Sequence, residues 1–236
     1  MKLEMRSSPA VRRSEVLQSR AEIIGGFWSE EWKAYVPLRQ EAIQRGIVDP
    51  KVPLSPELVV GKKVLEVGCG PFSQMPTEGA ADLTCIDISQ YALEVARAQH
   101  RLLRLGGQIP KGTRCTYKVG DAYDLRFKDG RFYSAGSFRV WSTLGPDFDE
   151  AAKEMARVAR HGVMFTFLSM DWWRRNGGGV GREHRYCFTI HGEDKNDYDQ
   201  VAATPMQLAS LVDDLGLTRR RMDIFGNGWI YVEAQK

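Results

Sequence analysis

Residues 64–72 read VLEVGCGPF, a short apolar segment that runs directly into a loop with two glycines. The apolar run predicts a β-strand over Lys63–Val67. Glycine lets a backbone turn sharply and lets a ligand approach closely, and both glycines of the loop stand where this strand would end. Because open parallel sheets bind ligands at the carboxyl ends of their strands, the stretch predicts the first strand of a ligand-binding parallel sheet.

Apolar runs alternate with amphipathic segments along the rest of the chain. Further strands are predicted at 83–88, 115–119, 132–138 and 163–168, with candidate strands at 186–190, 220–225 and 229–234. Helices are predicted at 89–105, 148–159 and 204–215, where Ser89 and Thr204 suit the N-cap and His161-Gly162 suits the end of the second helix. This alternation favours an α/β fold with a mostly parallel sheet covered by helices on both faces.

The N-terminal part of the chain has a different pattern. Residues 15–45 are helical in pattern, but Gly25-Gly26 and Pro37 should interrupt them, which predicts two or three short helices. The proline-rich stretch 49–56 is typical of a linker. We therefore expect a helical cap and linker over residues 1–60, followed by the sheet domain over 61–236.

Composition limits the class of protein. The chain has 236 residues, 43% of them hydrophobic, which is enough to bury a core. Its 33 basic and 30 acidic residues leave a net charge of +3, which requires neither a nucleic acid nor a membrane as partner. The cysteines form no CxxC pair and the four histidines are scattered, so no metal is expected. The absence of a long apolar run or a secretory leader predicts a soluble, cytoplasmic protein.

Acidic residues stand at or near the ends of the first three strands of the predicted sheet. Asp87 follows Gly70 by 17 residues, the place where a nucleotide-binding sheet meets ribose hydroxyls. The glycine loop lacks the third glycine of a dinucleotide site, and Glu66 would repel a pyrophosphate but accept hydrogen bonds from an ammonium group. This combination suits a ligand with an adenosine and a cationic amino-acid end, and it disfavours a nicotinamide dehydrogenase.

With these motifs in this order, the chain resembles the class I S-adenosylmethionine-dependent methyltransferases over residues 60–236. The resemblance implies a Rossmann-like seven-stranded sheet, S-adenosylmethionine as cofactor and S-adenosylhomocysteine as product. It assigns the ribose hydroxyls to Asp87 and the adenine to Asp121. The full set of cofactor-binding residues expected from it is Glu66, Gly68, Cys69, Gly70, Asp87, Ile88, Asp121, Ala122 and Phe138.

Three segments are candidates for the acceptor side of such a site. They are the aromatic N-terminal segment, the segment after the fourth strand, and the insertion 169–191, whose arginines suit an anionic substrate. His184 is the candidate general base, because an imidazole titrates near neutrality. The expected substrate-binding residues are Trp28, Trp32, Tyr35, Arg139, Trp141, Arg182 and Tyr186.

The leading hypothesis is transfer of a methyl group to an O or N atom of a small molecule, by in-line displacement with help from a general base. RNA or protein methylation is an alternative, supported by residues 219–221 and a basic N-terminus with arginines at 6, 12, 13 and 20. A non-catalytic S-adenosylmethionine-binding scaffold is another, since the usual base of the family does not transfer to this chain. The acceptor and the oligomeric state are left open.

Overall fold

The computed structural model describes residues 9–46, 50–73, 75–191, 200–226 and 228–236. Side chains are described from residue 22 onward, with the exception of His191. All structural statements below concern these residues.

Seven strands form the main sheet, in the order β3-β2-β1-β4-β5-β10-β9. Strands β1 to β5 run parallel, and β10 is antiparallel to both β5 and β9. The strands are β1 (Lys63–Val67), β2 (Asp82–Asp87), β3 (Arg114–Val119), β4 (Phe132–Ser137), β5 (Ala159–Leu168), β9 (Thr218–Phe225) and β10 (Trp229–Gln235). This topology confirms the predicted seven-stranded, mostly parallel, Rossmann-like fold.

Helices cover both faces of the sheet. Neighbouring residues of a strand point to opposite sides, so each face of the sheet packs against its own set of helices. On one face, Leu65 and Phe165 belong to a buried cluster that includes residues of α4 and α6. On the other face, Val64 and Met164 pack with residues of α2 and α3. The helices are α1 (Pro9–Gln44), α2 (Pro56–Val59), α3 (Gln90–Leu105), α4 (Phe148–Val158), α5 (Met170–Arg175) and α6 (Pro205–Asp214).

The predicted N-caps are present. The Ser89 hydroxyl accepts a hydrogen bond from the Ala92 amide, and Thr204 forms a reciprocal capping box with Gln207. A smaller three-stranded sheet, β6 (Gly179–Glu183), β7 (Phe188–His191) and β8 (Gln200–Ala202), lies beside the end of β5.

The prediction for His161-Gly162 is wrong. Helix α4 ends at Val158 and β5 begins at once, so both residues lie inside a strand. The His161 ring packs against the Tyr133 ring at a centroid distance of 4.2 Å, with the two planes tilted by 32°. Gly162 fits there because a Cβ would lie 3.0 Å from the Ala234 carbonyl oxygen on β10.

The prediction of two or three short N-terminal helices is also wrong, because α1 is one continuous helix of 36 residues. Pro37 lies at an exposed position of α1, where water can hydrate the carbonyl that loses its backbone partner. Gly25 serves packing: a Cβ on it would lie 2.7 Å from the Ile88 carbonyl oxygen, so glycine lets α1 approach the end of β2.

Gly25 and Gly26 form a matched pair for testing this contact. A Cβ on Gly26 would meet nothing within 4 Å, so Gly26→Ala should stabilise the chain by up to about 1 kcal/mol through helix propensity. Gly25→Ala should lower the free energy of unfolding by about 1–3 kcal/mol, because the added methyl displaces α1 from Ile88. Urea denaturation and amide hydrogen exchange along α1 measure the difference, and equal stability of the two variants would contradict the close approach.

Candidate active site

The glycine loop after β1 is shaped by two residues with positive φ. Gly68 has φ of +66° and Gly70 has φ of +55°, a region that favours glycine. A Cβ on Gly68 would lie 2.6 Å from Cγ2 of Val140, so any side chain there would collide with the segment after β4. Both positions therefore favour glycine, and at Gly68 a side chain would also displace Val140.

Asp87 ties this loop to the neighbouring strand. Its Oδ2 accepts a hydrogen bond from the Gly70 amide and its Oδ1 accepts one from the Ser89 amide, both at 2.9 Å. Burial raises the pKa of Asp87, and the two backbone donors act in the opposite direction. The carboxylate thus connects the end of β2, the glycine loop and the start of α3.

A cavity of about 240 Å³ lies over the ends of β1 to β3, and we name it the first chamber. At its floor, Asp121 Oδ1 accepts a hydrogen bond from the Tyr123 amide at 2.9 Å. Asp121 Oδ2 is buried and has no hydrogen-bond partner among the described residues. The lining residues are Ile24, Trp28, Trp32, Gly68, Asp87, Ile88, Gly120, Asp121, Ala122, Tyr123, Arg139, Val140, Thr143 and Leu144.

A second cavity of about 340 Å³ lies on the other side of the glycine loop, and we name it the second chamber. Its lining residues are Trp28, Glu31, Trp32, Tyr35, Arg39, Val52, Glu66, Gly68, Cys69, Gly70, Pro71, Phe72, Ser73, Phe138, Arg139 and Val140. The residues common to both cavities are Trp28, Trp32, Gly68, Arg139 and Val140. The two chambers therefore meet over Gly68, between α1 and the segment after β4.

Glu66 is a buried acid in the wall of the second chamber. It accepts hydrogen bonds from the Ser73 hydroxyl and, at 3.7 Å, from the Cys85 thiol. Burial raises the pKa of Glu66 to about 8, although the bond from Ser73 lowers it. A cation beside this carboxyl would favour its ionised form.

Helix α1 covers both chambers from outside the sheet. Its Ser29 hydroxyl lies 3.0 Å from the Ser89 hydroxyl, within hydrogen-bond distance of the start of α3. The ring of Trp32 lies over the glycine loop, 3.4 Å from the position a Cβ on Gly70 would take. Trp28, Trp32 and Tyr35, all expected from the sequence at the acceptor side, line the second chamber.

The structure brings the nine expected cofactor residues to this region. Asp87, Ile88, Asp121 and Ala122 line the first chamber, and Gly68 lines both. Glu66, Cys69, Gly70 and Phe138 line the second chamber.

Four other expected residues lie away from both chambers: Trp141, Arg182, His184 and Tyr186. Trp141 is a core residue, fully buried and stacked on Phe165 at 4.3 Å, which corrects its expected contact with substrate. Arg182 is exposed on β6. Tyr186 is buried and donates a hydrogen bond to Asp214 Oδ2 at 2.7 Å.

His184, the candidate base, also lies outside the chambers. It stands in the turn between β6 and β7, where its carbonyl accepts a hydrogen bond from the Gln207 side chain. Because His184 lines neither chamber, the geometry does not support its expected role as the general base.

Several lining residues were missed from the sequence. The Tyr123 hydroxyl donates a hydrogen bond to the Leu144 carbonyl at 2.8 Å. Tyr123 directly follows the expected Asp121-Ala122 pair, and its position in the sequence could have identified it as a lining residue. Thr143 and Arg39 carry no motif, and only the folding of the chain brings them to the chambers.

Two further expectations concern metals and membranes. The described part of the chain contains no group of three or more His, Cys, Asp or Glu side chains placed to hold a metal ion. No helix within the described ranges has the length and apolar character needed to span a bilayer. The side chains of the basic N-terminus at 6, 12, 13 and 20 lie outside the described residues.

Comparison with known proteins identifies a methyltransferase domain within the chain. Residues 65–167 match the family model described as a methyltransferase domain. Among curated proteins, the chain is 34% identical over 119 residues to the malonyl-[acyl-carrier protein] O-methyltransferase of Erwinia billingiae. This match covers 47% of this chain and 41% of that protein. It is 33% identical over 113 residues to the fatty-acid O-methyltransferase of Mycolicibacterium smegmatis, covering 46% of this chain and 37% of that protein.

A solved structure shares the fold. The magnesium protoporphyrin IX methyltransferase of Synechocystis PCC 6803 with bound S-adenosylhomocysteine superposes with a TM-score of 0.62 at 13% identity, over 91% of this chain and 99% of that one. The matches span less than half the length of both curated relatives. Residues 65–167 therefore match a methyltransferase domain, and the chain shares the fold of a solved methyltransferase that binds S-adenosylhomocysteine.

The buried carboxyl of Glu66 predicts a pH-dependent stability in the absence of ligand. Its pKa is about 8 in the folded chain against an ordinary value of 4.5, so unfolding releases a proton between these values and stability falls as the pH rises through them. Glu66→Gln should remove the part of this pH-dependent loss of stability that the Glu66 carboxyl causes. Thermal melts from pH 5 to 8 should show a smaller loss of Tm for Glu66→Gln than for the wild type, each kcal/mol corresponding to about 2–4 °C.

The matched control for this experiment is Glu150→Gln, an exposed acid on α4. Parallel curves for the wild type, Glu150→Gln and Glu66→Gln would contradict a raised pKa at Glu66.

Proposed function

We propose that the chain transfers a methyl group from S-adenosylmethionine to an oxygen atom of a small molecule. The observation that carries this proposal is the meeting of two chambers over one glycine loop. One chamber offers acids for an adenosine, and the other is walled by aromatic side chains. The junction at Gly68 is the place where the methyl group of a cofactor that extends through both chambers would meet an acceptor in the second chamber.

The first chamber fits the nucleoside part of the cofactor. Asp121 Oδ2 is buried without a partner, and a buried acceptor of this kind is costly unless a ligand donor satisfies it. We assign the exocyclic amine of adenine to this oxygen. Asp87 would hold the ribose hydroxyls, with its position fixed by the amides of Gly70 and Ser89.

The second chamber fits the amino-acid part of the cofactor beside the loop. The ammonium group of methionine would lie near Glu66, whose buried carboxyl ionises more readily beside a cation. Gly68 lines both chambers, so a ligand that extends from one chamber into the other would pass beside this residue.

When bound, the cofactor supplies a methyl group on a positively charged sulfur. The chain contributes position and environment to the displacement. Trp28, Trp32 and Val140 line both chambers, so they would hold acceptor and donor close and collinear. Their apolar surfaces exclude water, which favours a step in which charge disappears.

The choice of oxygen rests on the curated relatives, both of which are named O-methyltransferases. The first test is calorimetric titration of the purified protein with S-adenosylmethionine, S-adenosylhomocysteine and NAD. We expect both adenosyl ligands to bind and NAD not to bind. Binding of NAD alone, or of none of the three, would contradict the proposal.

Asp121 offers a sharper test of the assignment. Asp121→Asn retains Oδ1 for the Tyr123 amide but replaces Oδ2 with a donor that faces the adenine amine. We expect the affinity for S-adenosylhomocysteine to fall by about 1.5–3 kcal/mol, with little change in stability. The matched control is Asp124→Asn, whose carboxylate contacts Arg126 on the surface and should leave the affinity unchanged. Equal affinities of the two variants would remove Asp121 from the cofactor site.

A further inference from the structure

A cavity between α3 and the edge strand β3 has a lining unlike that of the two chambers, and we propose that it binds a small anion with two or three phosphoryl groups. This arginine cavity has a volume of about 260 Å³, and its lining residues are Arg97, His100, Arg101, Arg104, Cys115 and Tyr117. None of them lines the first or the second chamber, so this site does not depend on the proposed function.

The lining carries three positive charges. Arg97, Arg101 and Arg104 stand four and three residues apart on α3, a spacing that brings their side chains to one face of the helix. Among the described residues, no aspartate or glutamate forms an ion pair with any of them. Burial raises the pKa of the Cys115 thiol to about 11, so Cys115 is neutral at pH 7 and adds no negative charge.

Helix α4 shows how the chain compensates basic residues elsewhere. Its Arg157 pairs with Glu154, and its Lys153 pairs with Asp149. Helix α3 contains a single acid, Glu94, which does not line the arginine cavity. Like charges at this spacing destabilise a helix, so α3 carries an electrostatic cost that a bound anion would relieve.

Two of the three arginines are already held in position. Arg97 Nη2 donates to the Tyr117 carbonyl at 3.0 Å, and Arg104 Nη2 donates to the Thr113 carbonyl at 2.6 Å. A guanidinium has five N–H donors, so each of these arginines keeps further donors for a ligand. Because the two side chains are ordered before binding, the entropy cost of ordering them does not reduce the affinity.

A directed chain of hydrogen bonds adds a hydroxyl donor. Arg104 Nη2 lies 3.2 Å from His100 Nε2, and arginine can only donate, so Nε2 accepts and the imidazole carries its proton on Nδ1. That nitrogen lies 3.1 Å from the Tyr117 hydroxyl and donates to it. Burial raises the pKa of Tyr117, so the phenol keeps its own proton, which has no acceptor among the described residues. A ligand oxygen would supply that acceptor.

The spacing of the donors favours linked phosphoryl groups. Arg97 and Arg104 are seven residues apart, a rise of about 10 Å along α3 that the arginine side chains and two or three phosphoryl groups can bridge together. Arginine forks bind phosphate oxygens in pairs. A nucleic-acid strand needs a track for about four or more nucleotides and aromatic faces for its bases. The Tyr117 ring instead contacts His100 and packs against the core.

The test is calorimetric titration of the purified protein with pyrophosphate and tripolyphosphate, at constant ionic strength and without divalent cations. Sulfate and an oligouridine of twelve nucleotides are the comparison ligands. We expect tripolyphosphate to bind about tenfold or more tightly than sulfate, because it contacts more of the arginines at once. Failure of both phosphorylated anions to bind, or binding no tighter than that of sulfate, would overturn the proposal. Tighter binding of oligouridine than of tripolyphosphate would overturn the assignment to a small anion.

Arg101→Gln locates the site at an exposed position of α3. It should lower the affinity for tripolyphosphate about tenfold, through the loss of one charge-assisted contact. Without the anion its Tm should stay the same or rise, because the variant removes a like charge from the helix. The matched control is Arg114→Gln on the same edge strand, whose side chain faces Asp82 outside the cavity. It should change the affinity by less than about twofold, because salt screens a charge at that distance. Equal losses in the two variants would overturn the site.

Tyr117→Phe tests the hydroxyl donor. The affinity for tripolyphosphate should fall about threefold to tenfold, as the loss of one hydrogen bond requires. An unchanged affinity would remove the phenol from the site. Thermal melts on every variant distinguish a lost contact from a lost fold. If the wild type fails to bind S-adenosylhomocysteine but binds tripolyphosphate, the proposed function is contradicted and the anion site stands.

Discussion

The site depends on the carboxylate of Asp87, which is held in place by two backbone amides. Gly70 and Ser89 donate to its two oxygens, so one side chain at the end of β2 fixes both the glycine loop after β1 and the start of α3. The hydroxyl of Ser89 then caps α3 and lies within hydrogen-bond distance of Ser29 on α1. Loop, helix and covering helix are therefore arranged around one buried charge, and a charge buried at this cost persists only because its bonds are satisfied.

The sequence was most informative where function demands particular residue types at strand ends. Gly68 and Gly70 were recognisable because the loop needs positive φ, and Asp87 and Asp121 because acids end consecutive strands. These are local signals, carried by a few neighbouring residues and by the alternation of strand and helix. The seven-stranded sheet and its carboxyl-edge site follow from the same signals.

Features that depend on distant contacts were not predictable in this way. The stacking of Trp141 on Phe165 and the bond from Tyr186 to Asp214 are decided by how separate elements pack. Proximity in sequence to the fourth strand made Trp141 a candidate for the site, but its side chain points into the core. Likewise, Gly25 suggested a helix break, whereas its real role is the close approach of α1 to Ile88. Local propensity is a weak guide when tertiary contacts compete with it.

Helix α1 supplies Trp28 and Trp32 to both chambers, and this shared wall has a thermodynamic consequence. If a ligand in one chamber orders these two rings, a ligand in the other chamber meets rings that are already ordered. The entropy cost of binding the second ligand is then different. Linkage then requires that each ligand alter the affinity of its companion by the same factor, in both directions. Ligands in the two halves of the site would thus be energetically coupled through one covering helix, although most of the residues that line the two chambers are different.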